Sequence, residues 1–189
     1  MTRIIAGQAR GRSINVPSEG TRPTSDRARE GLFSSLAVRW GFEQSRVLDL
    51  FAGSGALGLE AASRGAEEVH LVDDSPEAIK NIEHNAQVVG HPKVHIHQMQ
   101  AGTYLDRAPS EYFDMVLADP PYDFNDVDAL IAKLTPALAD SAIVVIERHV
   151  DSPEPQWPEE FTPTGQKLKK RTYGIARMDM AIFERNSDD

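Results

Sequence analysis

The chain has 189 residues and a formal net charge of −9. That length suits one domain with a substantial core, and the acidity taken alone argues against a nucleic-acid partner. The absence of Cys excludes disulfides and thiolate metal sites, and no apolar run approaches the roughly 18 residues needed to span a membrane; a cytosolic location is the default expectation.

The charge is unevenly spread. Residues 1–46 carry eight Arg against four acids, a net +4, which leaves −13 for the rest. A second basic cluster is Lys167, Lys169, Lys170 and Arg171. Two local basic patches on an acidic body fit a protein that meets phosphate at defined places; each Arg read singly is as readily a solvated surface charge.

Taken in chain order, residues 3–6 and 13–16 read as two short strands around a Gly7/Gly11 turn. After a loop to Pro23, residues 25–40 read as a helix, with Ala28, Leu32, Leu36 and Trp40 at helical spacing and Thr24 or Ser25 as the cap. From residue 46 strands and helices alternate: a buried strand at 47–51, a helix at 56–64 and a strand at 69–73. Then comes a helix capped by Ser75 with Pro76 at its first position. A short strand at 94–97, a central strand at 113–119, a helix at 127–138 and a buried strand at 142–147 follow. A Pro-rich loop spans 153–163, and 166–171 with 174–184 read as a closing hairpin. This alternation implies a parallel sheet with helices on both faces. Ligands in such sheets sit beyond the carboxyl ends of the strands, so residues just after strands are the functional candidates.

The first strand runs into Asp49-Leu50-Phe51-Ala52-Gly53-Ser54-Gly55-Ala56-Leu57-Gly58. Gly53, Gly55 and Gly58 match G-x-G-x-x-G, and Asp73 ends the next strand twenty residues after Gly53, where a carboxylate suits ribose hydroxyls. A dinucleotide, S-adenosylmethionine and a purely structural Gly turn are all compatible with this spacing. Asp49 favours the second. A carboxylate there repels a pyrophosphate, whereas S-adenosylmethionine has no phosphate, carries a sulfonium and ends in an ammonium group that Asp49 can hold.

The strand at 113–119 runs into Asp119-Pro120-Pro121-Tyr122. An exocyclic base amine is a poor nucleophile because its lone pair is delocalised into the ring. Asp119 can accept one N–H and the Pro120 carbonyl the other, which aims the lone pair and stabilises developing positive charge. The prolines fix φ and remove donors, and Tyr122 offers a face for an unpaired base. A strand-ending turn of Asp and Pro without chemistry is the competing reading.

These motifs, with Arg3-Ile4-Ile5-Ala6-Gly7, Gly11-Arg12 and Thr21-Arg22-Pro23-Thr24-Ser25-Asp26-Arg27, resemble the RsmD family of bacterial small-subunit ribosomal RNA methyltransferases over nearly the whole chain. The resemblance implies an α/β, Rossmann-like class I methyltransferase with a seven-stranded, mostly parallel sheet. Its last hairpin inserts one antiparallel strand, and a small N-terminal β-hairpin extension precedes it. It implies S-adenosyl-L-methionine as cofactor and N2 of a guanine in 16S rRNA as target. Cofactor residues are then expected at Asp49, Phe51, Gly53, Ser54, Gly55 and Asp73. At Gln100 and Ala101 the family's usual adenine-binding Asp is replaced by Gln, whose carbonyl can still accept from an amine. Catalysis is expected from Asp119 to Tyr122. RNA contacts are expected at Arg10, Arg12, Arg22, Lys169, Lys170 and Arg171, from charge and position.

The expected organisation is a basic hairpin extension at 1–24, a methyltransferase domain at 25–185 and a frayed tail at 186–189. A monomer acting on free 16S rRNA or on the 30S subunit is expected. A DNA adenine-N6 or cytosine-N4 methyltransferase and a non-catalytic nucleotide-binding assembly factor are the competing readings. His95 and His97 share one face of a strand, but no third ligand is evident near them in sequence, so no metal is expected.

Overall fold

Val47, Leu48 and Leu50 are fully buried, because the strand they form lies inside a sheet covered on both faces. The computed structural model describes residues 1–17, 26–164 and 175–186. Nine strands are described: β1 (Thr2–Arg3), β2 (Ser13–Ile14), β3 (Arg46–Leu50), β4 (Glu68–Asp73), β5 (Val94–Gln98), β6 (Phe113–Ala118), β7 (Leu138–His149), β8 (Phe161–Pro163) and β9 (Ala176–Phe183). Five α-helices join them: α1 (Asp26–Arg39), α2 (Ala56–Ser63), α3 (Pro76–Val89), α4 (Ala101–Leu105) and α5 (Val127–Leu134).

Seven strands form one sheet in the order β5-β4-β3-β6-β7-β9-β8, and β1 and β2 form a separate antiparallel pair. β3 to β7 pair in parallel, while β9 runs antiparallel to both β7 and β8. This is the expected seven-stranded sheet with one inserted antiparallel strand.

The period-two alternation of β strands divides the core in two. Val47, Met115, Leu117, Ile143, Val145, Met178 and Met180 face α1, α2, α3 and the N-terminal hairpin. Leu48, Leu50, Val116, Ala118, Val144 and Ile146 face α4 and α5. The sheet order reverses between β3 and β6, and the loops after these strands therefore diverge to opposite faces and leave a crevice.

Most boundaries agree with the sequence to within two residues, but the strand expected at 3–6 ends at Arg3 and the one expected at 142–147 already begins at Leu138. The helix expected to reach 138 ends at Leu134 and continues as a 3-10 turn over Thr135–Ala137, because Pro136 cannot donate in an α-helix interior. The five-residue α4 is too short to show a period. The partner of β9 is Phe161–Pro163, inside the stretch read as a loop; Pro163 is tolerated because β8 is an edge strand, and Phe161 stacks between Trp157 and Phe183. The strand expected at 166–171 lies outside the described residues.

The N-terminal hairpin shares the main core, to which it contributes Ile4, Ala9 and Ile14. Buried polar side chains hold it there. The Glu60 carboxylate accepts from the Ile5 and Ala6 amides at 3.0–3.2 Å. Ser63 Oγ donates to the Ala6 carbonyl and accepts from the Ala9 amide. Asn85, fully buried on α3, accepts from the Asn15 amide at 2.7 Å and donates to the carbonyls of Asn15 and Ser54, both at 2.8 Å. One side chain therefore couples the N-terminal strand to the Gly loop. Asn85→Ala leaves three backbone groups unpaired, one buried and two part-buried, at a cost of about 3 kcal/mol. Thermal melting is expected to fall by roughly 10 °C, with weaker cofactor binding; a melt within a degree or two of wild type would refute the coupling.

Candidate active site

At the carboxyl end of β3 the chain turns sharply. Phe51 adopts φ 56° and Gly53 φ 58°, and the turn is held from β4. Asp73 accepts from the Gly53 amide through Oδ2 and from the Ser75 amide through Oδ1, both at 2.9 Å. Asp73 thus braces the Gly loop and starts α3, and each oxygen keeps a lone pair for a hydroxyl.

Asp49 is buried in β3, and its Oδ2 accepts from the Gly58 amide at 2.8 Å. Gly58 permits that approach, since a Cβ there would lie 2.2 Å from Leu71 Cδ2 and 3.1 Å from Asp49 Oδ2. Asp49 Oδ1 is buried with no hydrogen-bond partner among the described residues. Burial raises the Asp49 pKa to about 7, the Gly58 hydrogen bond opposing and the nearby Asp73 charge adding to the rise. A buried, half-satisfied carboxylate of this kind calls for a cationic or donor ligand.

Two adjoining cavities open over this loop. The first, of about 640 Å³, is lined by Asp49, Phe51, Gly53, Ser54, Asp73 and the whole of Asp119-Pro120-Pro121-Tyr122, with Asp74 and Asp123 at its walls and Val16 and Pro17 from the N-terminal segment. The second, of about 400 Å³, is lined by Phe51, Asp73, Met99, Gln100, Ala101 and Phe124, with Lys133 at its side. They share Phe51, Asp73 and Asp74, so one bent cleft runs from Asp49 to α4. Five carboxylates and no Lys or Arg line the first cavity among the described residues. Such walls repel a pyrophosphate and favour a sulfonium and an ammonium.

S-adenosylmethionine fits these residues: Asp49 Oδ1 would hold its ammonium, Asp73 its ribose, and the second cavity its adenine. There Gln100 stands at the N-terminus of α4, exposed, with no capping bond from its side chain. An open space faces Gly53, where a Cβ would meet nothing within 4 Å.

The turn after β6 is braced from several sides. The Asp119 amide donates to the Leu50 carbonyl at 3.3 Å, and the Phe124 amide to the Pro121 carbonyl at 2.9 Å. The Pro120 carbonyl takes no donor among the described residues. Tyr122 meets the His149 ring edge-on at 5.3 Å. Arg148, buried at the end of β7, donates through Nη2 to the Phe124 carbonyl at 2.7 Å, and its Nε and Nη1 have no partner among the described residues.

The structure thus brings together Asp49, Phe51, Gly53, Ser54, Asp73, Gln100, Ala101 and Asp119 to Tyr122. Gly55 lies beneath them as the left-handed N-cap of α2. Arg10 and Arg12 are not at the cleft. Their turn packs on the C-terminal ends of α2 and α3, where the Gln8 amide donates to the Ser63 carbonyl and Arg12 Nη1 donates to the carbonyls of Val88 and Val89. Those helix ends lead into the starts of β4 and β5, at the far end of the strands from the Asp119–Tyr122 turn. Arg22, Lys169, Lys170 and Arg171 lie outside the described residues. Sequence reasoning missed Val16, Pro17, Met99 and Phe124, none of which carries a local signal.

A family model described as "Conserved hypothetical protein 95" matches residues 2–182. The ribosomal RNA small subunit methyltransferase D of Haemophilus influenzae is 36% identical over 179 residues, covering 92% of this chain and 89% of that protein. The protein of the same name from Escherichia coli is 34% identical, covering 88% and 84%. A solved structure titled as a putative methyltransferase from Escherichia coli superposes with a TM-score of 0.84 at 30% identity, covering 97% of this chain and 98% of that one. The chain belongs to the RsmD family of small-subunit ribosomal RNA methyltransferases.

Proposed function

We propose that this protein methylates the exocyclic N2 of a guanine in 16S rRNA, acting as a cytoplasmic monomer on the RNA free or within the 30S subunit. The observation that carries this reading is the shared cavity: Asp119 to Tyr122 form one wall of the space whose other wall is Asp49, Gly53 and Asp73. Bound S-adenosylmethionine supplies an electrophilic methyl group on a cationic sulfur.

The chain's own residues do the rest. The half-buried Asp119 carboxylate accepts one N–H of the guanine amine, and the Pro120 carbonyl accepts the other, so the nitrogen lone pair is aimed rather than delocalised. Asp119 also stabilises the positive charge that develops on nitrogen, from which a proton then leaves readily. Tyr122, held by His149, supports the extruded base. Exposed Arg10, on its turn away from the cleft, serves as an outlying phosphate contact, whereas Arg12 is engaged with α3. Arg22, Lys169, Lys170 and Arg171 are the remaining proposed phosphate contacts, on their charge alone.

The deciding experiment is radiolabelled methyl transfer to 16S rRNA, free and in 30S particles, followed by mapping of the modified base. The expected product is a single N2-methylguanine in the rRNA. Transfer to duplex DNA with none to rRNA would select the DNA amino-methyltransferase reading, and cofactor binding without transfer to either would select a non-catalytic role.

A further inference from the structure

Away from the cleft, the face of β4 and β5 that turns toward α4 carries an unusual group. Glu68 and His70 are two apart on β4, and His95 and His97 are two apart on β5, so each pair shares a face. The parallel register sets His70 directly beside His95 and Val72 beside His97, which places all four side chains on the same face. The imidazoles stack, His70 on His95 with ring centres at 4.6 Å and His70 on His97 at 5.2 Å.

We propose that Glu68, His70 and His95 form a transition-metal site, best suited to Zn2+, that ties the edge strand β5 to β4. Among the described residues these three offer one ligand atom each, all within 4.8 Å of one another. Glu68 Oε1 lies 2.6 Å from His70 Nε2 and 3.6 Å from His95 Nε2. Zinc–nitrogen bonds of about 2.0–2.1 Å require donor atoms roughly 3.3 Å apart in a tetrahedron. The first must lengthen by about 0.7 Å and the second shorten by about 0.3 Å.

Two further contacts orient the ligands. His70 Nδ1 is 2.9 Å from His97 Nε2. With the His70 proton on Nδ1, it donates to His97 and turns the Nε2 lone pair toward Glu68. Tyr112 donates to the other Glu68 oxygen, Oε2, at 2.6 Å, which directs Oε1 at the histidines. An N–H partner behind a ligating imidazole and a donor behind a ligating carboxylate are the outer contacts that metal sites use. The His95 side chain is 48% exposed, which opens a path for the ion and leaves room for a water as fourth ligand. The site needs no thiolate, in a chain without Cys.

Position gives the site its consequence. β4 ends in Asp73 and β5 leads into Met99, Gln100 and Ala101, all of which line the cleft. An ion bridging the two strands stiffens the floor of the second cavity from below.

The test is calorimetric titration of the full, chelator-stripped chain with Zn2+ alone, at neutral pH. One equivalent is expected to bind with Kd of about 10 µM or tighter, raising the melting temperature by roughly 5 °C at metal a hundredfold above Kd. Co2+ in its place is expected to give the intense visible absorption of a tetrahedral site. His95→Gln, at an exposed position that tolerates the change, is expected to weaken binding more than tenfold with the metal-free melt unchanged. Tyr112→Phe, which removes only an orienting contact, is expected to weaken it about tenfold or more. The exposed His84→Gln serves as a control and should alter neither. Binding looser than about 0.1 mM, or tight binding undiminished in His95→Gln, overturns the proposal and leaves the cluster a hydrogen-bonded histidine stack.

Discussion

Asp119→Ala is expected to reduce methyl transfer at least about a thousandfold, roughly 4 kcal/mol of transition-state stabilisation, while leaving cofactor affinity within about twofold. The asymmetry follows from the cleft. Asp119 stands on the wall opposite the Gly loop, and neither Asp49 nor Asp73 hydrogen-bonds to it. Removing its carboxylate takes away an acceptor for the amine and a counter-charge for the nitrogen, and both matter only once the base is in place. Asp119→Asn separates the two contributions, because its side-chain carbonyl still accepts an N–H but carries no charge. Its rate should fall between those of wild type and the Ala variant. The measurements are single-turnover transfer to rRNA and calorimetric binding of S-adenosylhomocysteine. Wild-type turnover in the Ala variant would sink the orientation mechanism, and parallel loss of cofactor binding would show Asp119 to be part of the cofactor site instead.

The second large effect lies at Asp49, and it depends on pH. In the free protein burial raises the pKa of this carboxyl to about 7, so the folded state holds a proton that the unfolded chain has released. The sign follows from linkage: with the folded pKa raised, stability falls as pH climbs from about 4 to about 7, and the full penalty is present above that. An ammonium beside Oδ1 reverses the preference and draws the group to its charged form. Cofactor affinity is therefore expected to be highest above pH 7 and to weaken by up to about tenfold per pH unit below it. Asp49→Asn keeps an acceptor for the Gly58 amide but removes the charge. It should weaken cofactor binding by about 2–3 kcal/mol, roughly thirty- to 150-fold. It should also flatten the pH profile and raise the melting temperature of the free protein above pH 7. A steep profile that survives in the Asn variant would assign the titration to another group.

These two residues also show how unevenly the site could be read. Asp49 and Asp119 are legible because each is an acid where an apolar strand should continue or end, and the adjoining Gly and Pro leave few other uses for the backbone. Arg12 shows the reverse. Its charge suggested RNA, yet its guanidinium satisfies carbonyls at the end of α3, a partner 76 residues away that no local pattern announces. Arg148 has a contact of the same kind, with the Phe124 carbonyl 24 residues away. The histidine group was half visible. His95 and His97 are adjacent in sequence pattern, but the ligands that complete the set come from β4, and only the register of two parallel strands makes them neighbours.

By itself, the sequence of this protein determined the succession of strands and helices, the Gly loop with its two acids, and the acceptor turn after β6. Each of these rests on local physics: side-chain periodicity, the backbone freedom of Gly and the rigidity of Pro. The tertiary structure alone decided that the loops of β3 and β6 share one cavity, that Val16 and Pro17 close its edge, and that Asn85 ties the N-terminal strand to the Gly loop. It also decided that the Arg10–Arg12 turn belongs to the opposite end of the sheet. Those outcomes depend on which distant strands pair and on which buried polar groups must find partners.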